Sequence, residues 1–145
     1  MSRDMILKSE DKIVEIIILQ KSYPEAKEFE DANWLKCEIR IEVPGFKGIY
    51  GADLRIDDFE RFYEEIEEVR LLHSKELKLV TMEDGIYLKG TLDIYGHIKW
   101  EGIARPSYGS SCLTFVIETD FASLENLSVQ ICDILKEYSV NGNRI

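Results

Sequence analysis

Two histidines, His73 and His97, three cysteines, Cys37, Cys112 and Cys132, and a loop holding Ser107, Ser110 and Ser111 are the side chains through which this chain could run metal or nucleophilic chemistry. Neither histidine belongs to a ligand-spaced motif. Asp93-Ile-Tyr-Gly-His97 reads first as a hairpin turn, which needs the same aspartate and glycine. No metal and no cofactor is expected. A serine or cysteine nucleophile needs a base and a group that orients the base. The chain has no G-x-S-x-G, so residues 105–111 read as a Ser/Gly-rich loop. A small hydrolase or transferase using Cys112 or a serine of residues 107–111, with His97 approaching across a strand pair, stands as the second functional reading. The three cysteines form no C-x-x-C pair and imply no disulfide framework. Cys37 and Cys132 fall in apolar-patterned segments as small core residues, which leaves Cys112 as the one thiol to test for reactivity.

Carboxylates are abundant, and most concentrated over residues 57–69, where Phe59, Phe62, Tyr63, Ile66 and Val69 recur at helical spacing. Asp57 followed by Glu60 resembles a capping box. Glu60, Glu64, Glu65, Glu67 and Glu68 are left to the solvent side, where little desolvation would lift a carboxyl into the catalytic range. Such a face is either simply solvated or binds a basic protein.

The elements around this helix are mostly strands. Residues 13–20 are short and β-branched. Residues 34–43 alternate, with Leu35, Cys37, Ile39, Ile41 and Val43 on one side and Trp34, Lys36, Glu38, Arg40 and Glu42 on the other. Pro44-Gly45 opens a turn into a strand over 50–56, and the acidic helix that follows should end near His73 or Ser74. Strands are expected at 76–82, 85–92, 97–105 and around 113–117, with a hairpin turn at Glu83-Asp84-Gly85. A last helix should begin near Asp120 as N-cap, with Leu124, Leu127, Ile131, Ile134, Leu135 and Tyr138 on one stripe. Clean alternation points to an antiparallel sheet with one covered face. The expected class is α+β, a mainly antiparallel sheet of about six to seven strands with two amphipathic helices packed on one face. No sequence repeat is evident. Trp100 groups with Ile98 and Ala104 as core, whereas Trp34, Tyr87, His97, Lys99, Glu101 and Arg105 form a mixed aromatic and charged face of recognition type, extended by Tyr108 in the loop.

The 145 residues suit one domain, with an ordered core over about 12–138 and a polar tail over 139–145. Eighteen basic against 28 acidic residues give a net charge of −10, which disfavours direct binding to nucleic acid or to anionic membranes. The first residues lack the apolar stretch of a signal peptide, and the run over 13–19 is broken by Glu15 and too short to span a bilayer, so the expected compartment is the cytoplasm.

The order Asp57-Asp58-Phe59-x-x-Phe62-x-x-x-Ile66, Gly96-His97-Ile98-x-Trp100-x-Gly102 and Leu113-x-Phe115-x-x-Glu118-x-Asp120-x-x-x-Leu124 resembles the WapI-type immunity proteins of bacterial polymorphic toxin systems, over roughly residues 34–138. The chain departs from many members at Asp120-Phe121-Ala122-Ser123-Leu124, where they carry a polar-aromatic turn. The resemblance implies a non-enzymatic protein that binds and neutralises the C-terminal domain of a secreted or cell-surface toxin. For the family's namesake it implies a toxin that attacks tRNA. An acidic inhibitor is steered toward the basic face usual in nucleases. The expected partner residues are Glu60, Glu64, Glu65, Glu67 and Glu68, then Trp34, Tyr87, His97, Lys99 and Arg105, on a monomer or a weak homodimer. A third reading is a scaffold protein that forms a homodimer through its open sheet face.

Overall fold

The computed structural model describes residues 3–106 and 111–138. It contains eight strands, β1 (Arg3–Ser9), β2 (Lys12–Lys21), β3 (Trp34–Val43), β4 (Phe46–Arg55), β5 (Glu76–Leu79), β6 (Ile86–Leu92), β7 (His97–Ala104) and β8 (Leu113–Asp120). One helical turn, α1 (Phe29–Ala32), precedes β3, and two longer helices, α2 (Ile56–Arg70) and α3 (Ser123–Glu137), follow β4 and β8. The class is α+β and antiparallel, as expected, but the strands number eight and divide into two sheets, β1-β2-β3-β4 and β5-β6-β7-β8. Four antiparallel strands and a helix therefore occur twice in chain order. This repeat lies in the topology, while none is evident in the sequence.

The first sheet starts earlier than the expected core boundary at residue 12. β1 buries Met5 and Leu7 against the rest of the core, and pairs along its whole length with β2. The tail over 139–145 lies outside the described residues.

Both sheets alternate as their sequences dictate. Leu35, Cys37, Ile39 and Ile41 of β3 point inward, as do Ile98, Trp100 and Ala104 of β7, and all are buried. The two inner faces and the apolar stripes of α2 and α3 share one core. Phe62 of α2 meets Trp100 of β7 edge to face, ring centroids 6.3 Å apart and planes at 70°.

Two glycines make room for aromatic rings. Gly102 pairs with Phe115 across β7 and β8, and a Cβ built on it would lie 2.2 Å from Phe115 Cζ. Gly90 pairs with Trp100, and its Cβ would approach Leu77 Cδ2 to 2.8 Å and the Trp100 ring to 3.0 Å.

The helices tie the two halves together. Each reaches the first strand of the sheet it does not follow. On α2, Glu65 Oε1 accepts the Lys78 N–H of β5 at 3.0 Å. On α3, Gln130 Oε1 accepts the Ile6 N–H of β1 at 2.8 Å. Both strands are sheet edges, where an unpaired amide row invites pairing with another chain. Between the sheets, the Tyr50 hydroxyl donates to the Gly85 carbonyl at 2.7 Å, and burial pushes its pKa up to about 12. Lys12 Nζ donates to the Val116 carbonyl at 2.8 Å.

Helix starts differ from expectation by a few residues. The cap of α2 uses Asp58, not the expected Asp57 with Glu60: Asp58 Oδ2 accepts the Arg55 N–H at 2.9 Å. Asp58 is buried and also accepts Arg61 Nη2 at 2.6 Å, and burial raises its pKa despite these partners. Asp57 instead pairs with Arg55 Nε at 2.9 Å and Arg61 Nη1 at 3.2 Å. At α3 the helix begins at Ser123, whose N–H donates to Asp120 Oδ1 at 2.9 Å. Asp120 thus serves the helix start from one turn upstream.

Candidate partner-binding surface

The acidic helix is where the sequence places it, but its five glutamates do different jobs. Glu64 and Glu68 are exposed and stand one turn apart, on a row that begins at the half-buried Glu60. Glu68 also meets His73 Nδ1 at 3.2 Å in an exposed pair. Glu65 is committed to the edge of β5. Glu67 fastens α2 to α3: it accepts Ser128 Oγ at 2.5 Å and Arg70 Nη1 at 2.9 Å. The Ser128 hydrogen bond, then Arg70, hold its carboxyl below the usual glutamate range.

The helix pair carries most of the charge. Together α2 and α3 hold ten acidic and three basic side chains, a balance of −7 within a chain total of −10. The outer face of β5–β8 is nearly balanced by comparison. Lys99 stands between Thr91 and Glu118, and Glu101 between Lys89 and Val116. Negative potential therefore concentrates on the helical layer and not on the open sheet.

The remaining expected contacts do not converge on that layer. Tyr87, His97 and Lys99 share the outer face of β6 and β7. Arg105 follows β7 and pairs with Asp84 of the β5–β6 turn. Trp34 lies on the first sheet, opposite Arg55 in the register. The Arg55 guanidinium sits 5.0 Å from the Trp34 ring centroid. Tyr108, Ser107 and Ser110 lie outside the described residues.

The register also separates the second reading's catalytic pair. His97 pairs with Asp120 at one end of β7–β8, whereas Ala104 pairs with Leu113, next to Cys112, at the other. Seven residues of strand between them span about 24 Å, so His97 does not reach Cys112 or Ser111. His97 instead belongs to the 93–97 turn, as its sequence suggests: Asp93 Oδ1 accepts the Tyr95 N–H at 2.8 Å and the His97 N–H at 2.9 Å. The His97 N–H, ahead of the other contacts, holds Asp93 below the usual aspartate range. Cys37 is buried, which pushes its thiol up to about 12. Cys132 is half-buried and Cys112 exposed. Among the described residues no group of three or more His, Cys, Asp or Glu side chains could hold a metal ion, and no helix is long and apolar enough to cross a membrane.

One feature of this surface was not expected from the sequence. The end of α2 closes as a Schellman motif: the His73 N–H donates to the Glu68 carbonyl and the Leu72 N–H to the Val69 carbonyl, both at 2.9 Å. Glycine usually fills the left-handed position of that motif, yet here it is Leu72, at φ +62°. A side chain there costs roughly 1–2 kcal/mol. Leu71 is 61% and Leu72 70% exposed, so neither recovers that cost by burial. The β6–β7 turn, at the same end of the second sheet, displays Ile94 and Tyr95, 82% and 78% exposed. The Leu92 N–H donates to the Lys75 carbonyl at 2.8 Å, which fixes the two turns at one end of the sheet. The signal was present in the sequence as a Leu-Leu pair with no glycine stop, and as an Ile-Tyr pair inside a turn, where polar residues are usual.

The family-like spacing now acquires a physical meaning. Phe59, Phe62, Ile66, Ile98, Trp100, Phe115 and Leu124 are all core residues, Gly96 turns the β6–β7 hairpin at φ +83°, and Gly102 seats Phe115. The motif therefore encodes the scaffold. Comparison with family models agrees, matching the immunity protein WapI-like family over residues 5–139. The chain belongs to the WapI-like immunity protein family. The match extends beyond residues 34–138 to take in β1 and β2, as the topology requires. No curated protein sequence matches the chain. Two solved structures share its fold at 9% identity. The crystal structures of Trypanosoma brucei MRP1/MRP2 align with a TM-score of 0.51 over 94% of this chain and 84% of that one. A guide-RNA-binding protein complex bound to a gRNA aligns at 0.50 over 93% and 89%.

Proposed function

We propose that this WapI-like family member neutralises a cognate toxin domain by direct protein–protein binding, with its acidic helical layer turned toward a basic face of the toxin. The family match over residues 5–139 carries the immunity role. The −7 balance on α2 and α3 supports the choice of face, because charge concentrated on one layer both attracts and orients a basic partner. A tRNA-cleaving nuclease is the toxin class that fits this charge best, since an enzyme that grips a phosphate backbone must itself be cationic. The same charge argues against carrying over the RNA binding named for the structural neighbour, as an acidic surface releases no counterions from RNA. The cytoplasm is the compartment in which such an inhibitor would meet its toxin. Glu64 and Glu68 are the exposed contacts that α2 brings to the layer, while Tyr87, His97 and Lys99 form a separate, balanced face suited at most to a secondary contact.

The immunity reading predicts a toxin gene beside this one, and the test is co-expression with the toxin domain encoded there. Growth should be restored and a complex should co-purify at moderate salt. Toxicity undiminished by this protein, with no complex recovered, would remove the immunity reading.

A further inference from the structure

Resting on that immunity reading, we infer that the corner formed by Leu71, Leu72, Ile94 and Tyr95 is the apolar anchor of the toxin interface, inserting into a pocket rimmed by basic side chains. Three observations carry it. First, Leu72 holds a left-handed backbone that glycine would accept freely, and its side chain lies in solvent. Little of its side chain is buried to offset that backbone, so a contact outside the fold accounts better for leucine there. Second, two turns at the same end of the second sheet, held there through the Leu92–Lys75 hydrogen bond, present four large exposed apolar side chains. Large exposed apolar groups gathered at one end of a sheet mark interaction sites. Third, the corner terminates the helix that carries Glu64 and Glu68, so apolar anchor and acidic rim adjoin, the anatomy of a specific interface.

Charge selects the occupant. A second copy of this chain would bring one −7 helical layer up to another, and an anionic membrane would meet the same repulsion. A basic protein with an apolar pocket satisfies both parts of the surface.

The experiment compares the wild type, L72G, and the double variant I94S/Y95S. Each is assayed for growth protection in cells expressing the neighbouring toxin domain, for affinity to that domain released from the complex and refolded, and for thermal unfolding. L72G should bind at least tenfold more weakly while its Tm stays level or rises, a pattern that a purely structural leucine would not give. I94S/Y95S should likewise weaken binding with an unchanged Tm. Wild-type affinity in both variants would overturn the anchor while leaving the immunity reading intact. A wild type that neither binds nor protects would remove both. Concentration-dependent dimerisation that L72G abolishes would assign the corner to a second copy and overturn the inference.

Discussion

Single side chains in this protein divide between those that build the scaffold and those that face outward, and proximity in sequence does not sort them. Gly102 and Glu67 are scaffold residues. Substituting Gly102→Ala would drive a methyl group into the Phe115 ring, and overpacking of this kind costs about 1–3 kcal/mol; chemical denaturation should show the loss, and an unperturbed midpoint would mean that the ring does not occupy that space. Glu67 is a carboxylate with its pKa lowered chiefly by Ser128 and then by Arg70. Its contribution is therefore fully present above the usual glutamate value of about 4.3 and is lost as pH falls through the lower folded value. Glu67→Gln should destabilise by about 1 kcal/mol near neutrality, the scale of a partly exposed charge-assisted hydrogen bond. The gap to the wild type should close as the solution is acidified. A constant gap from pH 7 to pH 3 would show that the carboxylate charge contributes nothing. Glu64, three residues away, has no such task in the fold and is free to serve a partner.

At the scale of elements, the two edge strands depend on the helix of the opposite half. Removing the acceptor from one of them, by Gln130→Ala, should speed hydrogen exchange at Ile6 and cost about 0.5–1.5 kcal/mol; unchanged exchange would mean that the β1 edge is shielded by other means. Such cross-connections lie beyond what local sequence pattern encodes. Period-two alternation located β3, β6 and β7, and the 3.6-residue stripe located α2 and α3, because each records which side of an element meets the core. β1 escaped notice because only Met5 and Leu7 alternate clearly within Arg3–Ser9. The division into two sheets also lay beyond local pattern: β4 and β5 alternate like neighbours, yet α2 intervenes, and side-chain hydrogen bonds such as Tyr50–Gly85 and Lys12–Val116 cross between the sheets. The acidic row was legible for the same reason as the helix that bears it. The apolar corner shows in the sequence only as a Leu-Leu pair with no glycine stop and an Ile-Tyr pair in a turn, and it takes the left-handed backbone of the helix end to show that Leu71 and Leu72 turn away from the core.

For the whole molecule, the distribution of charge matters more than its total. A net charge of −10 spread evenly would keep the protein soluble and little more, whereas the helical layer concentrates most of it beside an exposed apolar corner. The structural neighbours share this architecture at 9% identity, and a shared frame at that identity says nothing of function, which lives in the surface. The most direct test is the association rate with the cognate toxin domain at low and high ionic strength, for the wild type and for the double reversal Glu64→Lys, Glu68→Lys. Wild-type association should be fast at low salt and fall steeply as salt rises. The double variant, which replaces two negative charges of the layer by two positive ones, should associate about tenfold more slowly at low salt, with a much shallower dependence on salt. Identical rates and salt dependence for the two proteins would contradict the account by showing that the toxin does not approach through the acidic helical layer.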